Sequence, residues 1–224
     1  MSGGAAGIPT FVVCAVRRPG DPIPELEASE TFIIPNGEGP LNLSEKWNSG
    51  LDMAEAAARR DGHQTWNVAV VNDDLEPEPE LLELLAEGLR FAPDIWITFL
   101  DQGRLLPHGL LVEATNERYA GQTLTGYAFM LRGETGLRFD TGFRWWYGDT
   151  DLERHVRQMG KRVACVGGAY GRHRTEARST AQDPSLLALA REDEARFAEK
   201  WGVDPTRLWL AVHPDWPAVP ADDL

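Results

Sequence analysis

Residues 66–85 read "WNVAVVNDDLEPEPELLELL", and the fold turns on how this stretch is parsed. The run from Trp66 to Val71 is apolar and valine-rich, the composition of a strand buried on both faces. Three polar residues follow it, Asn72, Asp73 and Asp74. Beyond them Leu81, Leu82, Leu85 and Leu89 recur at helical spacing to Arg90. Two adjacent carboxylates at the tip of a buried strand repel each other unless something positive sits between them. Two readings follow. Acids before a helix cap it and suit its dipole. Acids at a strand end also suit a hard divalent cation, which takes oxygen ligands and keeps several waters while it holds phosphates.

Outward from this stretch, strands and helices alternate. "TFVVCAV" (10–16), "TFIIP" (31–35), "DIWITFL" (94–100) and "RVACVGG" (162–168) are short apolar runs that read as buried strands, and "RLLPHGLLV" and "TLTGYAFMLR" are further strand candidates. A helix is expected after Asn48 or Ser49, with Leu51, Ala54 and Ala58 on one face and Gly62 as its stop. "DTDLERHVRQMG" carries Leu152, Val156 and Met159 at helical spacing. Asp183-Pro184 opens a last helix with Leu186, Leu189, Phe197 and Trp201 on one side. This order predicts an α/β fold with a mostly parallel central sheet flanked by helices. Ligands of such sheets bind beyond the C-terminal ends of the strands, where Asn72 to Asp74 should lie.

The bulk numbers set limits. The chain has 224 residues, enough for one domain of ordinary size, and a net charge of −13 that opposes non-specific nucleic-acid and anionic-membrane binding. Its two cysteines, Cys14 and Cys165, sit inside apolar runs and read as buried thiols. Two cysteines make no disulfide framework, so a cytoplasmic location is expected. No stretch approaches a membrane span, and the N-terminus lacks the pattern of a signal peptide.

Two more clusters carry chemistry. "FDTGFRWWYGDTDLERHVRQMG" (139–160) sets five aromatic residues before Asp149 and Asp151, which precede a helix. Capping explains the acids; a general base explains an acid beside an apolar wall. The helix N-terminus favours a charged Asp149 and the wall disfavours it; the charged form is expected to prevail. Lastly, "GRHR" places His173 between Arg172 and Arg174, either as a surface histidine or as a contact for a metal or diphosphate.

In their order along residues 10–175, these pieces resemble the inverting family 2 glycosyltransferases of the GT-A fold, the rhamnosyltransferase-like branch especially. "NSGLDMA" (48–54), "NDD" (72–74), "FDTGF" (139–143), "GDTDLERHVRQMG" (148–160) and His173 fill that family's motif places. The long block 139–160 is specific; "NDD" and "GRHR" alone are not.

The resemblance implies a GT-A domain over 1–180, with the helix and irregular tail of 181–224 packed on it. It makes Asp74, with Asp73 and His173, the ligands of Mn2+ or Mg2+ through a DxD-type motif. It makes Asp149 the base. Ala15, Arg17, Asn36, Asn48, Asn72 and Asp73 become nucleotide contacts, and Gly126, Trp146 and Asp151 acceptor contacts. It implies a nucleotide-sugar donor carrying UDP, GDP or dTDP and leaves the acceptor open. Where the family keeps a glutamate, this chain has Gly148. Two other readings stand beside this one: a nucleotide-sugar-binding module without catalysis, and a nucleotidyltransferase, which would need a glycine-rich, lysine-bearing loop near the first strand. The apolar side of the last helix either covers the domain or makes a homodimer contact.

Overall fold

The computed structural model describes residues 8–16, 23–35, 40–114, 123–174, 180, 183–208 and 210. Nine strands occur there: β1 (Thr10–Val16), β2 (Glu30–Pro35), β3 (Asn67–Asn72), β4 (Leu75–Pro77), β5 (Ile95–Leu100), β6 (Leu111–Glu113), β7 (Ala128–Arg132), β8 (Arg162–Val166) and β9 (Gly171–His173). Seven form one sheet in the order β2-β1-β3-β7-β5-β8-β6, and β4 pairs only with β9. β1 runs parallel to β2 and β3, and β5 parallel to β8; β7 and β6 oppose their neighbours. Thus β1, β2, β3, β5 and β8 share one direction, and their C-terminal ends share one edge.

The helices are α1 (Leu43–Arg60), α2 (Leu81–Phe91), α3 (Gly148–Gln158) and α4 (Pro184–Trp201). Neighbouring strand residues point to opposite faces, which splits each apolar run between two cores. Val13, Val68 and Val70 pack with Trp47 and Leu51 of α1 and Leu152 and Val156 of α3. Val12, Cys14 and Val71 pack with Leu81, Leu85 and Leu89 of α2. Both thiols, Cys14 and Cys165, are free and buried, and burial pushes each up to about 12.

Several elements differ from the sequence reading. α1 starts at Leu43, more than a turn before Asn48. Asn42 caps it, and its Oδ1 accepts the Glu45 N–H at 3.1 Å. α2 does not follow "NDD" directly: the chain turns there and runs through β4 first, and the N-cap of α2 is Glu80. Asp73 and Asp74 therefore do not cap that helix. Only Leu111–Glu113 of "RLLPHGLLV" and Ala128–Arg132 of "TLTGYAFMLR" are strands.

α4 opens with Asp183, whose side chain accepts the Ser185 N–H at 2.9 Å, and stops at Gly202 in the left-handed region at φ 60°. Its buried face is Leu186, Ala190, Asp193, Glu194 and Phe197; Leu189 is only half-buried. Leu186 and Phe197 each contribute about 1.5–3 kcal/mol by burial. Phe197 stacks on Tyr147 with ring centroids 4.7 Å apart and meets Phe143 edge-on. The apolar side of this helix is thus spent on the domain that carries it.

The two buried acids hold the loop before α3. Asp193 Oδ2 accepts the N–H groups of Trp145 at 2.7 Å and Trp146 at 2.8 Å, and both its oxygens receive that of Arg144 at 3.1 Å. Glu194 Oε2 accepts the Tyr147 hydroxyl at 2.7 Å. Hydrogen bonds to a buried charge are worth about 1.5–3 kcal/mol each, and they are not additive. Asp193→Ala is therefore expected to cost about 3 kcal/mol or more, and Asp193→Asn, which keeps one acceptor oxygen, clearly less. Urea unfolding of the three proteins checks this; equal midpoints would show that the carboxylate holds nothing.

Candidate functional site

The shared strand edge gathers the residues around Asp74. Ala15 near the end of β1 lies in register with Asn72 at the end of β3. Asn72 donates its N–H to the Tyr127 carbonyl at 3.0 Å. The chain then turns through Asp73 and Asp74 into β4. There Leu75 pairs with His173 of β9, which places the histidine beside Asp74. Arg174 fixes the turn from outside, with its N–H on the Asp74 carbonyl at 2.9 Å and its guanidinium on the Asp73 carbonyl at 3.0 Å.

His173 Nε2 lies 2.9 Å from Asp74 Oδ1, yet that buried oxygen accepts no hydrogen bond. The two atoms touch without the N–H direction that a hydrogen bond requires. Tyr127 holds the imidazole in place, its ring parallel to it with centroids 4.6 Å apart. A buried, unpaired acceptor costs about 1–3 kcal/mol. Ligand bonds of about 2.1 Å at right angles would set two donor atoms about 3 Å apart, so this oxygen–nitrogen pair fits adjacent ligands of one small divalent cation. Among the described residues no group of three or more His, Cys, Asp or Glu side chains forms such a cluster, so Asp73 does not complete a set of three.

The flanking arginines are already matched. Arg172 pairs with Glu76 at 2.5 Å, and Arg174 comes within 3.8 Å of the same carboxylate. The positive charge expected from "GRHR" for a diphosphate is largely neutralised within the β4–β9 hairpin.

Asp149 sits at the second position of α3. Tyr147 precedes the helix with φ 62°, in the left-handed region that bulky residues rarely enter. The Asp149 carboxylate accepts the Thr150 N–H at 2.8 Å. A Cβ on Gly126 would stand 2.9 Å from Asp149 Oδ2 and 3.4 Å from the Trp47 ring, so only glycine allows this approach. Asp149 itself is half-buried. Burial dominates and pushes its carboxyl up; the backbone N–H bonds oppose this only in part. Burial thus works against the charged resting form expected of Asp149. Of the five aromatic residues before it, Phe143 and Tyr147 face α4.

Other expected contacts are placed elsewhere. Asp151 is 3% exposed and its Oδ1 receives Lys200 Nζ at 2.7 Å and Trp201 Nε1 at 2.9 Å, so it braces α4 and presents no surface to an acceptor. Asn48 binds the Phe139 backbone, donating to the carbonyl at 2.9 Å and accepting the N–H at 2.8 Å. Trp146 stays half-buried, its N–H on Asp193 and its ring edge-on to Tyr147. A side chain at Gly148 would meet Ser44 Oγ at 2.9 Å, so a glutamate has no room there. Arg17 and Asn36 lie outside the described residues.

Sequence reasoning missed Tyr127, Ser44, Asp193 and Glu153. Glu153 is fully buried, accepts the Leu124 N–H at 2.8 Å, and burial lifts it to about 7. One signal was present: Glu153 follows Asp149 by four residues, on the same face of α3.

No family profile and no curated protein sequence matches the chain. Among solved structures it is similar to S. aureus TarS 1–349, at TM-score 0.48 and 9% identity over 93% of this chain and 78% of that one. It is also similar to A197 from STIV at TM-score 0.44 and 11% identity, over 74% of this chain and 85% of that one. Overlaps this partial leave the functional reading to rest on the site alone.

Proposed function

We propose that the chain is a metal-dependent inverting glycosyltransferase of the GT-A type, moving a sugar from a nucleotide-diphosphate sugar to a nucleophilic acceptor. The observation that supports it best is the Asp74–His173 pair: a buried carboxylate oxygen without a hydrogen bond, 2.9 Å from an imidazole nitrogen, at the C-terminal edge of the sheet. Asp74 Oδ1 and His173 Nε2 would hold Mn2+ or Mg2+, with waters and the donor's phosphates as the other ligands. Such an ion neutralises the charge that develops on a departing diphosphate.

This chain's residues do the rest. Tyr127 keeps the imidazole facing Asp74. Gly126 and Trp47 form the wall beside Asp149, and Asp149 would take the proton of the attacking hydroxyl. One displacement inverts the anomeric carbon, and the sugar forms no bond to the protein. Ala15 and Asn72 border the donor's side of the edge.

One observation favours a second reading, a nucleotide-sugar-binding module without turnover: the burial that raises the carboxyl of Asp149 opposes its use as a base. Hydrolysis of UDP-, GDP- and dTDP-sugars with manganese separates the two, since a module binds and turns nothing over.

Two substitutions test the proposal. Asp74→Ala is expected to abolish manganese-dependent binding of a nucleoside diphosphate while the unfolding transition stays intact; unchanged affinity by calorimetry would remove Asp74 from the metal site. Asp149→Asn keeps size and shape but takes up no proton. Donor binding should survive it, and transfer should fall about 100-fold or more. Transfer at the parent rate would mean that the base lies elsewhere.

A further inference from the structure

Glu153 is a second buried acid, one helical turn from Asp149 and unused in the chemistry above. Its Oε2 accepts the Leu124 N–H at 2.8 Å; its Oε1 accepts no hydrogen bond. Two residues beyond Leu124, Gly126 lies close against Asp149, where a Cβ would stand 2.9 Å from Oδ2. The segment Leu124–Gly126 is thus fastened at one end by Glu153 and packed at the other against Asp149. The charged groups facing Glu153 among the described residues all belong to α3. Arg157 lies 3.6 Å from Oε1 but also donates to the Ala114 carbonyl. Arg154 lies over the rings of Phe197 and Trp201, and Asp149 opposes a second negative charge. The segment 124–126 brings the Leu124 N–H, which carries no charge.

Resting on the reading of Asp149 as the base, we propose that Glu153 is a positioning residue that fixes the 124–126 segment against Asp149 and forms with it a carboxyl pair holding one proton at neutral pH. Two carboxyls one helical turn apart, one of them fully buried, do not both ionise easily. Glu153 exchanges no proton with substrate. Its neutral form is what permits Asp149 to be the charged member. The acceptor's O–H bond breaks, its proton passes to Asp149, and that proton later leaves to water.

Titration of the carboxyl carbons of the full chain by 13C NMR tests the pair without any substrate. In the parent protein Glu153 should titrate near 7, not near its ordinary 4.5. Asp149→Asn should lower the Glu153 midpoint by about one unit, and Glu153→Gln should lower that of Asp149 by a similar amount. A Glu153 midpoint in the ordinary carboxyl range, or one unmoved by Asp149→Asn, overturns the proposal.

Thermal unfolding gives an independent readout. The folded value of Glu153 is raised, so its proton's contribution to stability is complete below 4.5 and is lost as pH rises through about 7. The melting temperature of the parent should therefore fall by about 5 °C between pH 5 and pH 8, and Glu153→Gln should flatten that fall. A fall that persists unchanged in Glu153→Gln counts against the pair. A coupled titration in a protein that transfers no sugar keeps the pair and removes the glycosyltransferase reading instead.

Discussion

The carboxylate of Asp193 is the interaction on which the candidate site depends. It lies on α4, is 1% exposed, and gathers the N–H groups of three consecutive residues, Arg144 to Trp146. Successive N–H groups converge on one anion only when the backbone curls into a concavity, so the acid dictates the loop's shape. That shape delivers Tyr147 in a left-handed conformation, which costs roughly 1–2 kcal/mol. The Tyr147 hydroxyl bond to Glu194 and the stack on Phe197 offset this cost. Only then does α3 begin at a point that turns Asp149 toward Gly126. The C-terminal helix thus belongs to the site as much as the sheet does.

Charge explains why the donor side is built as it is. The protein carries a net −13, and the arginines of the β4–β9 hairpin are already balanced by Glu76 and by the Asp73 and Asp74 carbonyls. An anionic diphosphate approaching this hairpin meets little uncompensated positive charge among the described residues. An ion carried in with the ligand would supply attraction there, which is the role proposed for the Asp74–His173 pair.

β1, β3, β5 and β8 were legible because each is a dense apolar run, and burial on both faces leaves little to obscure that pattern. β4 and β9 were not, because three-residue strands show no period. Their pairing nevertheless joins the two segments that matter most. α1 was misplaced because Asn48 resembles a cap, while Asn42, three residues before Glu45, supplies the cap. Asn48 then binds the Phe139 backbone, a contact no local pattern announces. Asp193 and Glu194 read as solvent-facing acids of an amphipathic helix. Their partners are mostly backbone groups about forty-seven residues away, invisible to any count of charges. The acids at 149 and 151 were found together, but sequence could not tell which turns inward. Asp151 goes to Lys200 and Trp201, and Asp149 goes to Gly126.

The two cysteines have a practical consequence. Thiols pushed up to about 12 carry almost no thiolate near neutral pH, and both are walled in by the cores on either side of the sheet. Maleimides and mild oxidants should pass the folded chain by. A cysteine introduced on the surface would then be its sole reactive handle, so a fluorophore or spin label could be set at a chosen point with both native thiols left in place.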